Sequence, residues 1–153
     1  MQLSEFINVN RIRSDINVSS KKRALEELSK LISQVQTQLD TSAIFDSLIS
    51  RERLGSTGVG YGLAIPHGRI KNCSKITGAF IRLNHGIDFD AIDNQPVDML
   101  FALAVPEEST DEHLQVLALI ASMFNDENFR EKLRHSDNAE AIYQLLTEWQ
   151  KPD

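Results

Sequence analysis

Val97-Asp-Met-Leu-Phe-Ala-Leu-Ala-Val105 is apolar at every position except Asp98, and Pro106 follows it. A half-exposed strand alternates apolar with polar side chains, whereas a run this continuous suits a strand covered on both faces. Proline has no N–H to give to a ladder and ends the run. The segment reads as the centre of a sheet. Outward from it, Ile76–Leu83 and Leu63–Ile65 read as further strands, the first leading into the turn signal Asn84-His85-Gly86. Arg11–Ile16 alternates weakly, as a short strand does.

Helical periodicity fills the remainder. Ser20 is placed to cap a helix in which Ala24, Leu25, Leu28, Leu31, Ile32, Val35 and Leu39 form one apolar stripe. Thr41 opens a second helix through Ile44, Phe45, Leu48 and Ile49, with Arg51 in its last turn and Gly55 just past its end. Ser109-Thr-Asp-Glu112 reads as a capping box for a helix over Leu114–Phe124, apolar nearly all round and therefore expected to be buried. Shorter helices follow around Phe129–Leu133 and Ala139–Trp149. Strands with helices before and after them predict an α/β fold whose helices cover both faces of the sheet.

The chain has 153 residues, a length that suits one domain over 1–153 and buries about two-thirds of the unfolded surface without disulfides or metals. One cysteine, Cys73, excludes an internal disulfide and a multi-cysteine zinc site, and points to a reducing, cytoplasmic setting. The longest apolar run falls far short of the ~20 residues a spanning helix needs, and the N-terminus carries no export signal, so no membrane insertion is expected. The net charge is -6, from 22 acidic and 16 basic residues, and the basic ones are scattered. That distribution argues against direct nucleic-acid binding.

The chemistry concentrates in Arg51-Glu-Arg-Leu-Gly-Ser-Thr-Gly-Val-Gly-Tyr-Gly-Leu-Ala-Ile-Pro-His67-Gly68. Pro66 fixes its own φ and makes Ile65 extended, while Gly68 leaves the backbone beside the imidazole open to a second molecule. His67 is thus expected on an exposed, constrained loop, where it is either a nucleophile or a turn histidine with no task. His85 and His135 have surroundings that suggest structural roles only. His113 lies near the start of its helix, where the positive helix end favours an anion and a neutral ring N–H can donate to phosphate; an idle first-turn histidine is the alternative. Gly55, Gly58, Gly60 and Gly62 are four of the seven glycines, and they allow either converging N–H groups around an anion or a merely flexible loop. No Walker A or dinucleotide pattern is present, so Ser56 and Thr57 read as loop caps. Nor is there a nucleophile elbow, a zinc-protease helix or a cysteine cluster, which leaves histidine as the best nucleophile. Phosphoryl transfer through histidine needs an unprotonated ring nitrogen, a fixed tautomer and donors for the transferring oxygens, all within the means of His67, His113, Arg51 and loop N–H groups.

This stretch, together with Pro106 and Asp111-Glu-His113-Leu114, resembles the IIA components of the bacterial phosphoenolpyruvate-dependent phosphotransferase system, in the fructose/mannitol and nitrogen-regulatory class, over nearly the whole chain. The resemblance implies a mixed sheet flanked by helices. It implies that His67 is the phosphorylated residue, that His113 is a second active-centre histidine stabilising the transferring group, and that Arg51, 16 positions before His67, binds the phosphoryl group. It further implies a small histidine-phosphorylated carrier protein as donor and no small cofactor or metal. Gly-Ser-Thr-Gly and Asn138-Ala-Glu-Ala-Ile-Tyr-Gln-Leu-Leu look closest to the nitrogen-regulatory branch, whose members regulate target proteins according to phosphorylation. Tyr61 departs from the asparagine expected between its two glycines. The expected function is a phosphocarrier whose charge change alters the binding of regulated targets, with Val59, Tyr61 and Ile65 as an apolar docking face. A sugar-specific component passing phosphate to a IIB transport domain is the alternative, and an interaction module that works without phosphorylation is the third reading.

Overall fold

The computed structural model describes residues 2–34, 39–109 and 111–152. Val35 of the first helical stripe and Thr110 of the capping box lie outside the described residues. Six strands, β1 (Ile12–Ile16), β2 (Gly58–Gly60), β3 (Leu63–Ala64), β4 (His67–Ile70), β5 (Thr77–Ile87) and β6 (Val97–Pro106), form one mixed sheet. Among the described residues five α-helices accompany them: α1 (Lys21–Ser33), α2 (Thr41–Leu54), α3 (Glu112–Phe124), α4 (Glu127–Arg134) and α5 (Ala139–Glu148). The α/β architecture expected from the sequence is the one observed.

β6 is the centre. It pairs antiparallel with β5 on one side and parallel with β3 and β4 on the other, and all but its second and last residues are buried. β1 lies parallel outside β5, and β2 antiparallel outside β3. Alternation along β6 feeds two cores. Leu100, Ala102 and Ala104 face the side packed by α1 and α2, while Met99, Phe101, Leu103 and Val105 face the side of Val116, Ile120, Phe129 and Ile142 from α3, α4 and α5.

The helices begin where the caps stand. Ser20 Oγ accepts the Arg23 N–H at 3.1 Å, Asp126 caps α4 through the Phe129 N–H at 3.2 Å, and Asn138 caps α5 through the Ala141 N–H at 2.9 Å. Leu39 is buried, although α1 ends before it. Gly55 occupies the C-cap of α2, as its position suggested.

Four sequence expectations are corrected. The Asn84-His85-Gly86 signal does not turn the chain: it lies inside β5, in the stretch where the register with β6 shifts between Arg82 and Ile87. Such a bulge absorbs small and polar residues without breaking the strand. Ser109 does not cap α3. Its N–H closes a turn onto Pro106 O at 3.0 Å, and Asp111 is the N-cap with no side-chain cap bond. α3 is not buried all round, since Leu114 is 58% exposed and only Val116, Ile120, Met123 and Phe124 are fully buried, with Leu117 and Leu119 packed partly against the core. Finally, the glycine-rich segment is a strand hairpin rather than a loop: β2 turns into β3 through Tyr61 and Gly62, both at positive φ.

Candidate functional site

Along the edge of β6 the chain runs Leu63-Ala64-Ile65-Pro66-His67-Gly68-Arg69-Ile70 in a single line interrupted at the proline. Pro66 gives no N–H, yet its carbonyl still accepts the Leu103 N–H at 2.9 Å, so the chain stays registered and resumes as β4. His67 is therefore the first residue of an edge strand opposite Leu103, and not a loop residue as the sequence suggested. A strand fixes the direction of an imidazole better than a loop would.

Gly68 likewise has a different cause from the one expected. A Cβ there would overlap Ser47 Oγ and stand 3.1 Å from the Ser47 carbonyl carbon, so the glycine lets α2 lie directly on β4 rather than leaving room for a second molecule. Ser47 Oγ donates to Arg69 O at 2.8 Å and completes that contact. This close approach carries the last turns of α2, with Ser50 and Arg51, to the edge of β4.

An open cleft of about 420 Å³ results, lined by Arg51, His67 and His113 together with Ser47, Arg69 and Leu54. The three residues singled out from the sequence, on α2, β4 and α3, meet in it. His85 and His135 do not line it: His85 lies on β5, and His135, at the C-cap of α4, sits 3.4 Å from Glu131.

His67 Nδ1 is 2.8 Å from Ile65 O. A carbonyl only accepts, so Nδ1 carries the proton and Nε2 keeps its lone pair. Burial lowers the His67 pKa below the usual histidine value; the Ile65 carbonyl opposes this, the positive charge of Arg51 and the His113 ring reinforce it, and Glu52 opposes it. The neutral nucleophilic ring is thus favoured. Arg51 Nη1 donates to Gly55 O at 2.8 Å, which holds the guanidinium over the end of its own helix. His113 Nδ1 is buried with no hydrogen-bond partner among the described residues. A proton there would be an unsatisfied donor, so the neutral ring places its N–H on Nε2.

Two features escaped the sequence reading. Arg69 lines the cleft because strand alternation puts it on the same face as His67, a relation visible only once His67 is read as a strand residue. Glu52 is 4% exposed, accepts from the Thr57 N–H at 3.0 Å and from the Thr57 hydroxyl, and pairs with Lys21 Nζ at 3.0 Å. It ties the end of α2 to the start of α1 beside Arg51. Thr57 and Ser56, whose Oγ donates to Phe89 O at 2.9 Å, are engaged in holding this bend, as their reading as loop residues suggested.

Gly58, Gly60 and Gly62 do not line the cleft, so no glycine cradle for an anion surrounds His67. The hairpin is held elsewhere. The Tyr61 N–H donates to Asp93 at 3.1 Å, Arg134 donates to Tyr61 O, and the Arg130 guanidinium stands 4.0 Å over the Tyr61 ring. Tyr61 has φ 59°, a left-handed conformation that asparagine adopts more readily than tyrosine, and the two arginines hold it there.

The model of the phosphoenolpyruvate-dependent sugar phosphotransferase system EIIA 2 family matches residues 5–149. The chain belongs to this family. A nitrogen regulatory protein of Pseudomonas aeruginosa is 41% identical over 150 residues, covering 98% of this chain and 97% of the relative. A fructose-specific EIIA component of Haloferax volcanii is 37% identical over 130 residues, covering 85% of this chain and 84% of the relative. Among solved structures, the nitrogen regulatory protein IIA-Ntr of Neisseria meningitidis superposes with a TM-score of 0.90 at 42% identity, over 95% of this chain and 99% of that one. No helix among the described residues is long and apolar enough to cross a membrane, and no cluster of three or more metal-ligating side chains occurs among them.

Proposed function

We propose that the protein is a phosphocarrier in which His67 Nε2 accepts a phosphoryl group from a small histidine-phosphorylated carrier protein. The observation that carries this reading is the Nδ1 contact to Ile65 O at 2.8 Å, which leaves Nε2 as a free nucleophile in a cleft shared with Arg51 and His113. In the step, the Nε2 lone pair forms the new P–N bond while the donor's P–N bond breaks and its electron pair returns to the donor ring. Positive charge builds on the His67 ring and is spread onto Ile65 O through the Nδ1–H bond. The loose transition state places charge on three equatorial oxygens, and the Arg51 guanidinium and the His113 Nε2–H are the donors at hand for them.

The regulatory role fits the names of the more similar relatives, nitrogen regulatory proteins at about 41–43% identity over nearly the whole chain. On this reading phosphorylation changes which target proteins the domain binds. The fructose-specific relative at 37% identity keeps a second reading alive, in which His67 passes the group to a IIB transport domain. Phosphorylation assays with phosphoenolpyruvate, enzyme I and carrier proteins of the sugar and the nitrogen branches separate the two by which carrier donates.

The site assignment has its own test. His67→Ala is expected to lose all acid-labile, alkali-stable phosphate with its circular dichroism intact, since the side chain is only half-buried at a sheet edge. His113→Ala retains His67 labelling but slows transfer by about 10²–10³, the usual cost of losing one charge-stabilising donor. Arg51→Lys also slows transfer, because lysine keeps the charge and loses the planar fork that grips two oxygens. Full labelling of His67→Ala, or unchanged single-turnover rates in the other two, overturns the respective role.

A further inference from the structure

Arg69 occupies an unusual place in the network around the cleft. Its guanidinium Nη1 donates to two carbonyls of the turn between β6 and α3, Glu107 O at 2.9 Å and Ser109 O. Its own carbonyl accepts Ser47 Oγ of α2 at 2.8 Å. Its backbone pairs with Val105 in β6. One residue thus joins α2, β4 and the β6–α3 turn, the three segments that carry Arg51, His67 and His113.

The need for such a tie is visible at the start of α3. The N-cap Asp111 makes no side-chain cap bond, and the Glu112 and Leu114 side chains that flank His113 are exposed. Neither a cap nor core packing of these neighbours fixes the first turn of α3. The sheet fixes the chain up to Pro106, and the core takes hold again at Val116. Between those points the two carbonyl bonds from Arg69 are the side-chain anchor of the turn among the described residues, and the carbonyl of Ser109 lies four residues before His113.

We infer that Arg69 is a positioning residue for phosphoryl transfer, holding the Glu107–Ser109 turn so that the His113 ring faces the phosphoryl group at His67. This rests on the phosphocarrier reading above and adds to it a residue that acts through His113. Errors of about an ångström in the placement of a donor cost up to ~10² in rate, so an anchor of this kind shows in kinetics without showing in the fold. A lysine at 69 has three N–H donors on one nitrogen and can reach the same carbonyls, whereas alanine reaches neither.

A double-mutant cycle tests the inference, with single-turnover labelling from the phosphorylated carrier protein as the readout. Arg69→Ala should slow transfer about tenfold or more in the otherwise unaltered protein, and Arg69→Lys should recover most of that loss. In a His113→Ala background, Arg69→Ala should slow transfer no further, because the group it positions is gone. An equal loss in both backgrounds, or no loss in the unaltered protein, overturns it: the first means that Arg69 meets the phosphoryl group or the carrier directly, the second that the turn needs no anchor. Should Arg69→Ala not fold, Arg69→Gln, with one shorter donor arm, completes the same cycle. Labelling that persists in His67→Ala defeats the phosphocarrier reading itself, while labelling that requires His67 but shows no coupling between Arg69 and His113 defeats this inference alone.

Discussion

At the scale of the residue, His67 is governed by one carbonyl and one burial. The Ile65 carbonyl fixes the proton on Nδ1, and partial withdrawal from water, with Arg51 nearby, depresses the pKa. A histidine with a folded-state pKa below its unfolded value binds fewer protons when folded. Its contribution to stability is then fully present above the unfolded value of about 6.5 and is lost as pH falls from there through the folded value. The ring should accordingly titrate below pH ~6.5 by NMR, and phosphate acceptance should persist into mildly acidic buffer. Arg51→Gln should raise the midpoint by removing a repelling charge, and Glu52→Gln should lower it by removing an attracting one. A His67 midpoint at or above the ordinary histidine value of about 6.5 contradicts this account. His67 could be singled out from the sequence because proline and glycine bracket it in a distinctive string. Its tautomer was not, since the partner is a main-chain carbonyl two residues away whose direction only the fold decides.

At the scale of the element, the site depends on how closely α2 approaches β4. Gly68 allows that approach, and a methyl group at this position meets the Ser47 hydroxyl and backbone. Gly68→Ala should destabilise the protein by about 1–3 kcal/mol, the range for overpacking a tight contact, and should also slow transfer by moving Arg51 relative to His67. Ser47→Ala in addition should return part of that stability, because it removes the nearest atom although the backbone contact remains. Thermal unfolding of the single and double variants checks this, and a Gly68→Ala protein as stable as the original contradicts it. Sequence periodicity located α2 and β6 well, since each has a long apolar pattern, and it found α1 but carried its stripe to Leu39, past the helix end at Ser33. It misjudged shorter pieces. β4 has four residues, two of them His67 and Arg69 facing a cleft, so no apolar alternation marked it. α3 looked wholly buried because its exposed face carries the apolar Leu114 and Ala118, where a solvent-facing stripe usually carries polar side chains.

At the scale of the whole molecule, the sheet gathers side chains from α2, β4 and α3 at one edge, and the rim of the resulting cleft is apolar as well as basic. Leu54, on the cleft, is 84% exposed. Of the docking face expected at Val59, Tyr61 and Ile65, Ile65 is buried, whereas Val59 and Tyr61 are exposed on the hairpin and do not line the cleft. A single sequence could not separate these surfaces, because an exposed leucine at a helix end and an exposed valine in a hairpin look alike until the sheet order places one of them beside His67. On the phosphocarrier proposal, phosphorylation of His67 would add roughly −1.5 to −2 charges at that cleft, on a molecule already at -6. A partner that covers Leu54 must then bury or pair the new charge, and one that offers a basic group gains while one that offers an acidic or apolar surface loses. Regulated targets should therefore distinguish the two forms by ~1–3 kcal/mol, the usual coupling between linked binding events. Leu54→Ser should weaken both forms alike, because it removes apolar area and leaves the charge untouched. Calorimetry of a captured target against unmodified protein, phosphoprotein and each Leu54→Ser counterpart measures both effects. Equal affinity of the unmodified and phosphorylated forms contradicts the switch, and an unaltered affinity of Leu54→Ser moves the docking face away from the cleft.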